Sequence, residues 1–164
     1  MPSHHPNRAT SNSAKSSASR SLIAAELAIP PKTYSWITET RDPVELNQRI
    51  RLGFEFECLI EFKDSSRLPS AAIARVLGLP SENIRRCRRD GRLTPAESDR
   101  LVRLSSLFDR VVAVFQGDKL AAKRWLTNSC AAFRQQTPLQ FSETEFGANE
   151  VERLLGRMEH GVFS

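Results

Sequence analysis

The amino-acid sequence predicts an all-α protein, and three observations carry that prediction. Apolar residues recur at three- and four-residue spacing, as in Leu101, Leu104, Phe108, Val111 or Val112 and Phe115, and again in Val151, Leu154, Leu155 and Met158. That spacing sets one helix face on a core. Helix-start signals stand at Asp42-Pro43-Val44-Glu45 and Thr94-Pro95-Ala96-Glu97. Each combines a capping side chain, a proline in the first turn and a glutamate three residues on. Finally, only Phe54 to Phe62 alternates as a strand does, and no second segment offers itself as a pairing partner.

Taken in order, residues 1–20 are rich in Ser with Asn, Pro and cations, and nearly lack large apolar side chains. Such a segment cannot offset its ordering entropy, so a disordered tail is expected. Ser21 to Ala28 can form a short helix that Pro30-Pro31 stops, leaving Trp36 and Ile37 to dock on the core. Asp42 opens the next helix, which Gly53 ends. In the following stretch Phe54, Phe56, Cys58, Ile60 and Phe62 alternate with Glu55, Glu57 and Glu61. Alone this is a strand pattern; the lack of a partner strand favours a short helix.

Leu68 to Asp90 is the most informative segment. Ser70–Leu77 is amphipathic, with Ile73, Ala74, Val76 and Leu77 inward, and Gly78-Leu79-Pro80 breaks it. Ser81 is expected to cap a second helix from Glu82 to Asp90. A helix-turn-helix needs a small residue in its first helix and a turn-tolerant residue four positions later; Ala74 and Gly78 meet both needs. Ile84 and Cys87 face the first helix. Ser81, Glu82, Asn83, Arg85, Arg86 and Arg89 remain outward, the kind of face a recognition helix presents to a major groove. Arginine suits guanine edges and phosphates alike. The expected DNA-binding residues are therefore Ser81, Asn83, Arg85, Arg86 and Arg89.

The charge distribution supports that reading. The chain has 164 residues and a formal net charge of +5. Residues 67–103 hold nine arginines against Glu82, Asp90, Glu97 and Asp99, which accounts for the whole excess (9 − 4 = 5). A focused basic patch is the footprint of polyanion binding, although a solvated helical face has the same composition.

Beyond this patch Thr94 opens a long central helix that Gly117 ends. Asp118 caps a helix through Leu120, Ala121 and Trp125, and Thr137-Pro138-Leu139 begins a helical turn. A last helix runs from about Glu143 to Glu159, with Gly161 suited to a left-handed cap.

Several functions are argued against. Three well-separated cysteines, Cys58, Cys87 and Cys130, fit neither a disulfide framework nor a zinc site. Three histidines are too few for a metal centre or a nucleophile–base pair, and no glycine-rich phosphate loop occurs. Glu143 with Glu145, or Glu150 with Glu152, stand two residues apart and point to different helix faces. No enzyme, cofactor or metal is expected. No apolar run approaches the ~20 residues of a membrane span, and no secretory signal is evident, so a soluble cytoplasmic protein is expected.

The C-terminal part is recognisable. Arg88-Arg89-Asp90-Gly91-Arg92-Leu93-Thr94-Pro95-Ala96-Glu97, then Ala121-Ala122-Lys123-Arg124-Trp125-Leu126, Thr137-Pro138-Leu139, and Gly147 through Ser164 follow in order. Over about residues 65–164 the chain resembles the Xre/MbcA/ParS family of antitoxins. The resemblance implies an all-α fold with an Xre/Cro-like helix-turn-helix followed by a helical toxin-binding domain. The corresponding division is a tail over 1–35, a helix-turn-helix domain over 36–116 and a toxin-binding domain over 117–164. It further implies a RES-domain toxin partner that consumes NAD, an antitoxin that blocks its active site, and a complex that represses its own operon. One departure is the loop from Ser129 to Gln136, where relatives often carry glycines.

The toxin-binding residues are expected at Arg153, Arg157, Glu159, His160, Gly161, Val162, Phe163 and Ser164. The ring of Phe163 suits a base-sized or nicotinamide-sized slot, and the terminal carboxylate suits the arginines of a pyrophosphate pocket. In the competing arrangement Phe163 folds back on the helix. A single helix-turn-helix makes few DNA contacts, so a homodimer within a larger toxin–antitoxin assembly is expected. The alternative function is a stand-alone helix-turn-helix regulator without a toxin partner.

Overall fold

The computed structural model describes residues 42–159 and Gly161. The expectations for residues 1–41, and for the side chains of His160, Val162, Phe163 and Ser164, lie outside the described residues. Among the described residues eight α-helices follow one another: α1 (Pro43–Leu52), α2 (Phe56–Ser66), α3 (Ser70–Leu77), α4 (Ser81–Asp90), α5 (Pro95–Val114), α6 (Lys119–Thr127), α7 (Pro138–Phe141) and α8 (Glu145–Glu159). A 3-10 turn, Ala131–Phe133, lies between α6 and α7.

Helix α5 is the axis of the fold, with α1, α2, α3, α6 and α8 packed around it. Its Leu101, Leu104, Leu107, Phe108 and Val111 are almost wholly removed from solvent. They join Phe62, Leu77, Leu126, Leu139 and Leu155 in one continuous apolar cluster. Phe62 meets Phe108 edge to face, with ring centroids 6.2 Å apart. The start of α5 is held by the anticipated capping box: Thr94 accepts from the Glu97 backbone N–H and Glu97 accepts from the Thr94 N–H at 2.7 Å. Asp42 and Asp118 cap α1 and α6, and Thr137 with Gln140 forms a second complete box at α7. Each such cap is worth about 1 kcal/mol.

The alternating segment after Gly53 resolves as a helix. Phe54 stays extended, and its carbonyl accepts from the Leu93 N–H at 2.8 Å while the Phe56 N–H donates to the Gly91 carbonyl at 2.9 Å. This single antiparallel bridge, Glu55 to Arg92, is the whole strand-like pairing among the described residues. From Phe56 onward the chain is helical, burying Phe56, Cys58, Leu59 and Phe62. Gly53 makes the junction possible: its φ is +80°, and a Cβ there would stand 2.2 Å from the Leu93 carbonyl oxygen.

Two local expectations are corrected, at the starts of α4 and α8, while the helix expected after Asp118 forms as α6. Pro80, not Ser81, occupies the cap position of α4, and its carbonyl accepts from Asn83 and Ile84 at 2.9 and 3.1 Å. Ser81 is instead the first helical residue. In α6 the core-facing residues are Ala122 and Leu126, with Trp125 half-buried near Phe115 and Leu120 exposed. Helix α8 begins two residues later than anticipated, at Glu145.

The candidate DNA-reading helix and the partner-facing surface

Helices α3 and α4 form the helix-turn-helix. Gly78 ends α3 at φ +66°, and the Leu79 N–H donates back to the Ala74 carbonyl at 2.8 Å. A left-handed residue is needed to turn the chain here. The turn is also locked from outside: Arg100 of α5 donates to the Leu77 carbonyl at 2.9 Å. Its guanidinium end would stand 2.5 Å from a Cβ at position 78, a contact the flexible arginine can relieve by shifting, so it is the φ of +66° that calls for glycine.

On α4, Cys87 is buried and Ile84 half-buried against the preceding helices, as the spacing anticipated. Ser81, Glu82, Arg85, Arg88 and Arg89 are exposed, and Asn83 is half-buried. Arg89 lies 3.0 Å from Asp90, an exposed pair that leaves its guanidinium accessible. Arg88 sits over the Phe56 ring, 6.0 Å from its centroid.

Arg86 stands apart from the outward face. Its Nη2 donates to both carboxylate oxygens of Glu97, at 2.6 and 2.8 Å. Glu97 is 5% exposed. Burial pulls its carboxyl upward, but hydrogen bonds from the Thr94 backbone and from Arg86 outweigh this and hold it below the usual glutamate range. The same contact raises Arg86 above its ordinary value. Burial, reinforced by the Glu97 charge, pushes the adjacent Cys87 thiol up. Arg86 therefore ties α4 to the capping box of α5, a role that spacing alone did not reveal. The available signal was Glu97 itself, a capping-box acid eleven residues beyond an inward-capable arginine.

Other members of the arginine run have structural duties too. Arg92 donates to the Leu52 and Gly53 carbonyls at 3.2 and 2.8 Å, closing the end of α1. Arg75 pairs with Glu143 at 2.8 Å. Arg103 lies between Asp99 and Glu145, at 3.9 and 4.0 Å. The basic density that remains outward is concentrated on α4, at Arg85, Arg88 and Arg89.

Among the anticipated partner-binding residues, Arg153 pairs with Glu150, Glu159 pairs with Arg110 of α5, and Arg157 is exposed. Gly161 has φ +65°, and its N–H donates to the Met158 carbonyl at 3.3 Å, a left-handed end to α8. Three of the four glutamates considered as acid–base pairs are engaged as ion pairs, Glu143 with Arg75, Glu145 with Arg103 and Glu150 with Arg153, and Glu152 is exposed. The Cys58 thiol, pushed by burial up to about 11, is far from a thiolate at neutral pH. No group of three metal-ligating side chains occurs among the described residues, and no described helix is long and apolar enough to cross a membrane.

A helix-turn-helix whose core is continuous with a further helical layer, α6 to α8, defines the class of protein. Comparison with known families then places the chain. Residues 45–106 match the antitoxin Xre-like helix-turn-helix domain, and residues 110–161 match the antitoxin Xre/MbcA/ParS C-terminal toxin-binding domain. An antitoxin Xre of Yersinia enterocolitica is 40% identical over 116 residues, 70% of this chain and 78% of the relative. Antitoxins Xre of Photorhabdus laumondii and Pseudomonas putida are each 32% identical, over 73% and 76% of this chain and 81% and 77% of their own lengths. The chain belongs to the Xre antitoxin family.

Proposed function

We propose that the chain is the antitoxin of a type II toxin–antitoxin pair, acting in the cytoplasm: it binds and blocks the active site of a NAD-consuming RES-domain toxin, and as a homodimer it represses its own operon through α4. The observation that carries this reading is the tandem match of a helix-turn-helix and a toxin-binding domain built on one apolar core. Exposed Ser81, Arg85 and Arg89, with half-buried Asn83, supply the groove-facing side of α4. Arg153, Arg157 and the segment from Glu159 to Ser164 supply the toxin-facing end.

The test is truncation after Met158. The last buried side chain of α8 is Leu155, so the cut removes no core residue; within the described residues it removes the exposed Arg110–Glu159 pair and the Gly161 N–H bond to the Met158 carbonyl. Exposed pairs contribute about 0–1 kcal/mol. The fragment is expected to keep its helical circular dichroism and operator binding, yet fail to rescue growth or preserve NAD when a RES-domain toxin that the intact chain neutralises is co-expressed. Full protection by the fragment would refute the role of the tail. Absence of any RES-domain toxin that the intact chain neutralises would favour a stand-alone regulator.

A further inference from the structure

Helix α8 turns two different surfaces away from the core. On one flank, Glu145 and Glu159 reach back to Arg103 and Arg110 of α5, so that flank is engaged within the chain. On the front, Phe146, Glu150, Arg153 and Arg157 follow at intervals of four, three and four residues. At about 100° per residue these intervals keep all four within about 60° of one another. They lie nearly opposite the buried Val151 and Leu155. The line they form is about 16 Å long.

This front has no evident duty in the fold. Phe146 is 70% exposed, in the first turn of α8. Alanine or an acidic residue would serve a helix start better than phenylalanine. Arg157 makes no ion pair among the described residues, and Arg153 pairs only within the same line. An exposed aromatic ring aligned with arginines is the composition enriched where interfaces bury their anchors.

We infer that the toxin contact extends from Arg153 and Arg157 back along the front of α8 to Phe146, and that this front, as distinct from the segment after Met158, seats on an apolar pocket rimmed by carboxylates. Phe146 fills the pocket, while Arg153 and Arg157 meet the acidic rim. Two observations select this occupant. The whole line lies inside residues 110–161, matched to the toxin-binding domain, and it runs directly toward Gly161, where the tail begins. The outermost unpaired charge, Arg157, is cationic and calls for an acidic counterpart. The inference rests on the proposed toxin-binding function.

The experiment measures affinity of the full chain for a purified RES-domain toxin, by titration calorimetry, for the unchanged chain, Phe146→Ala and Phe146→Asp. Loss of the ring is expected to weaken binding about 30-fold or more, the range of an interface anchor. Phe146→Asp should weaken it further, because a new carboxylate faces the acidic rim. Both variants should melt no lower than the unchanged chain, since the ring is exposed and an acid suits the first helical turn. Unchanged affinity in both variants, with truncation after Met158 still abolishing protection, would overturn the extension to Phe146 and leave the toxin-binding function standing. No complex even with the unchanged chain would overturn both. Conversion of a dimer to a monomer by Phe146→Asp in light scattering, with toxin affinity intact, would assign the face to a second copy and overturn the inference.

Discussion

Replacing Arg86 with alanine separates a structural arginine from the DNA-reading ones. Glu97 is nearly excluded from solvent and keeps its charge because Arg86 and the Thr94 N–H donate to it. Removing one partner of a buried ion pair typically costs about 3–5 kcal/mol. Here the cost is reduced, because the Arg86 side chain is 30% exposed and the Thr94 donor remains. About 2–3 kcal/mol is therefore expected, a melting-temperature drop of about 8 °C for a chain of this size.

The pH dependence follows in sign. The folded carboxyl titrates below its unfolded value, so its stabilisation is present above the unfolded pKa and is lost as pH falls through the folded one. In Arg86→Ala one of the two lowering partners is gone while the Thr94 donor and burial remain, so acid protonates Glu97 without losing an ion pair. The gap between the two proteins should be largest near pH 7 and should narrow below about pH 4, the unfolded glutamate range. Thermal melts by circular dichroism at several pH values measure this. Equal melting temperatures at pH 7, or a gap that does not change with pH, would refute the role given to the Arg86–Glu97 pair.

Arg85→Ala should leave the melt unchanged and weaken operator binding, reducing the salt slope by about one for each DNA phosphate no longer neutralised, as read by gel shift at two salt concentrations. Gly147→Ala should cost about 3 kcal/mol or more, seen in a denaturant titration, because its Cβ would stand 1.7 Å from the Phe141 carbonyl oxygen and only a shift of α8 relieves it. Gln135→Gly should stabilise by about 0.5 kcal/mol and raise the melting temperature about 1–2 °C, because Gln135 is held at φ +67° next to Arg134 at φ +50°. A lower melting temperature for that variant would contradict it.

That last pair gives a physical reason why glycine would suit this loop: two successive left-handed residues follow the 3-10 turn. The sequence shows a loop without glycine from Ser129 to Gln136 but not the positive φ values that glycine would relieve. The same division runs through the molecule. Capping at Asp42, Thr94 and Asp118, the helical turn begun at Thr137, the core stripe from Leu101 to Val111, and the Ala74–Gly78 turn were all legible, because each is a local pattern of a few residues acting on its own backbone. The arginine run was legible as charge but not as function. Arg85 and Arg86 are neighbours of one residue type, and nothing local tells them apart. Glu97, Thr94 and Cys87 do so, because Arg86 reaches a carboxylate that burial leaves in need of a donor, while Arg85 points to solvent. Likewise the alternation of Phe54 to Phe62 is compatible with strand or helix until a core is present. Packing of Phe62 on Phe108 and the single bridge to Arg92 decide for a helix preceded by an extended turn. The sequence alone determined the fold class, the order of the elements and the family. The tertiary structure decided which charges hold helices together and which remain outward, since that depends on partners distant in the chain.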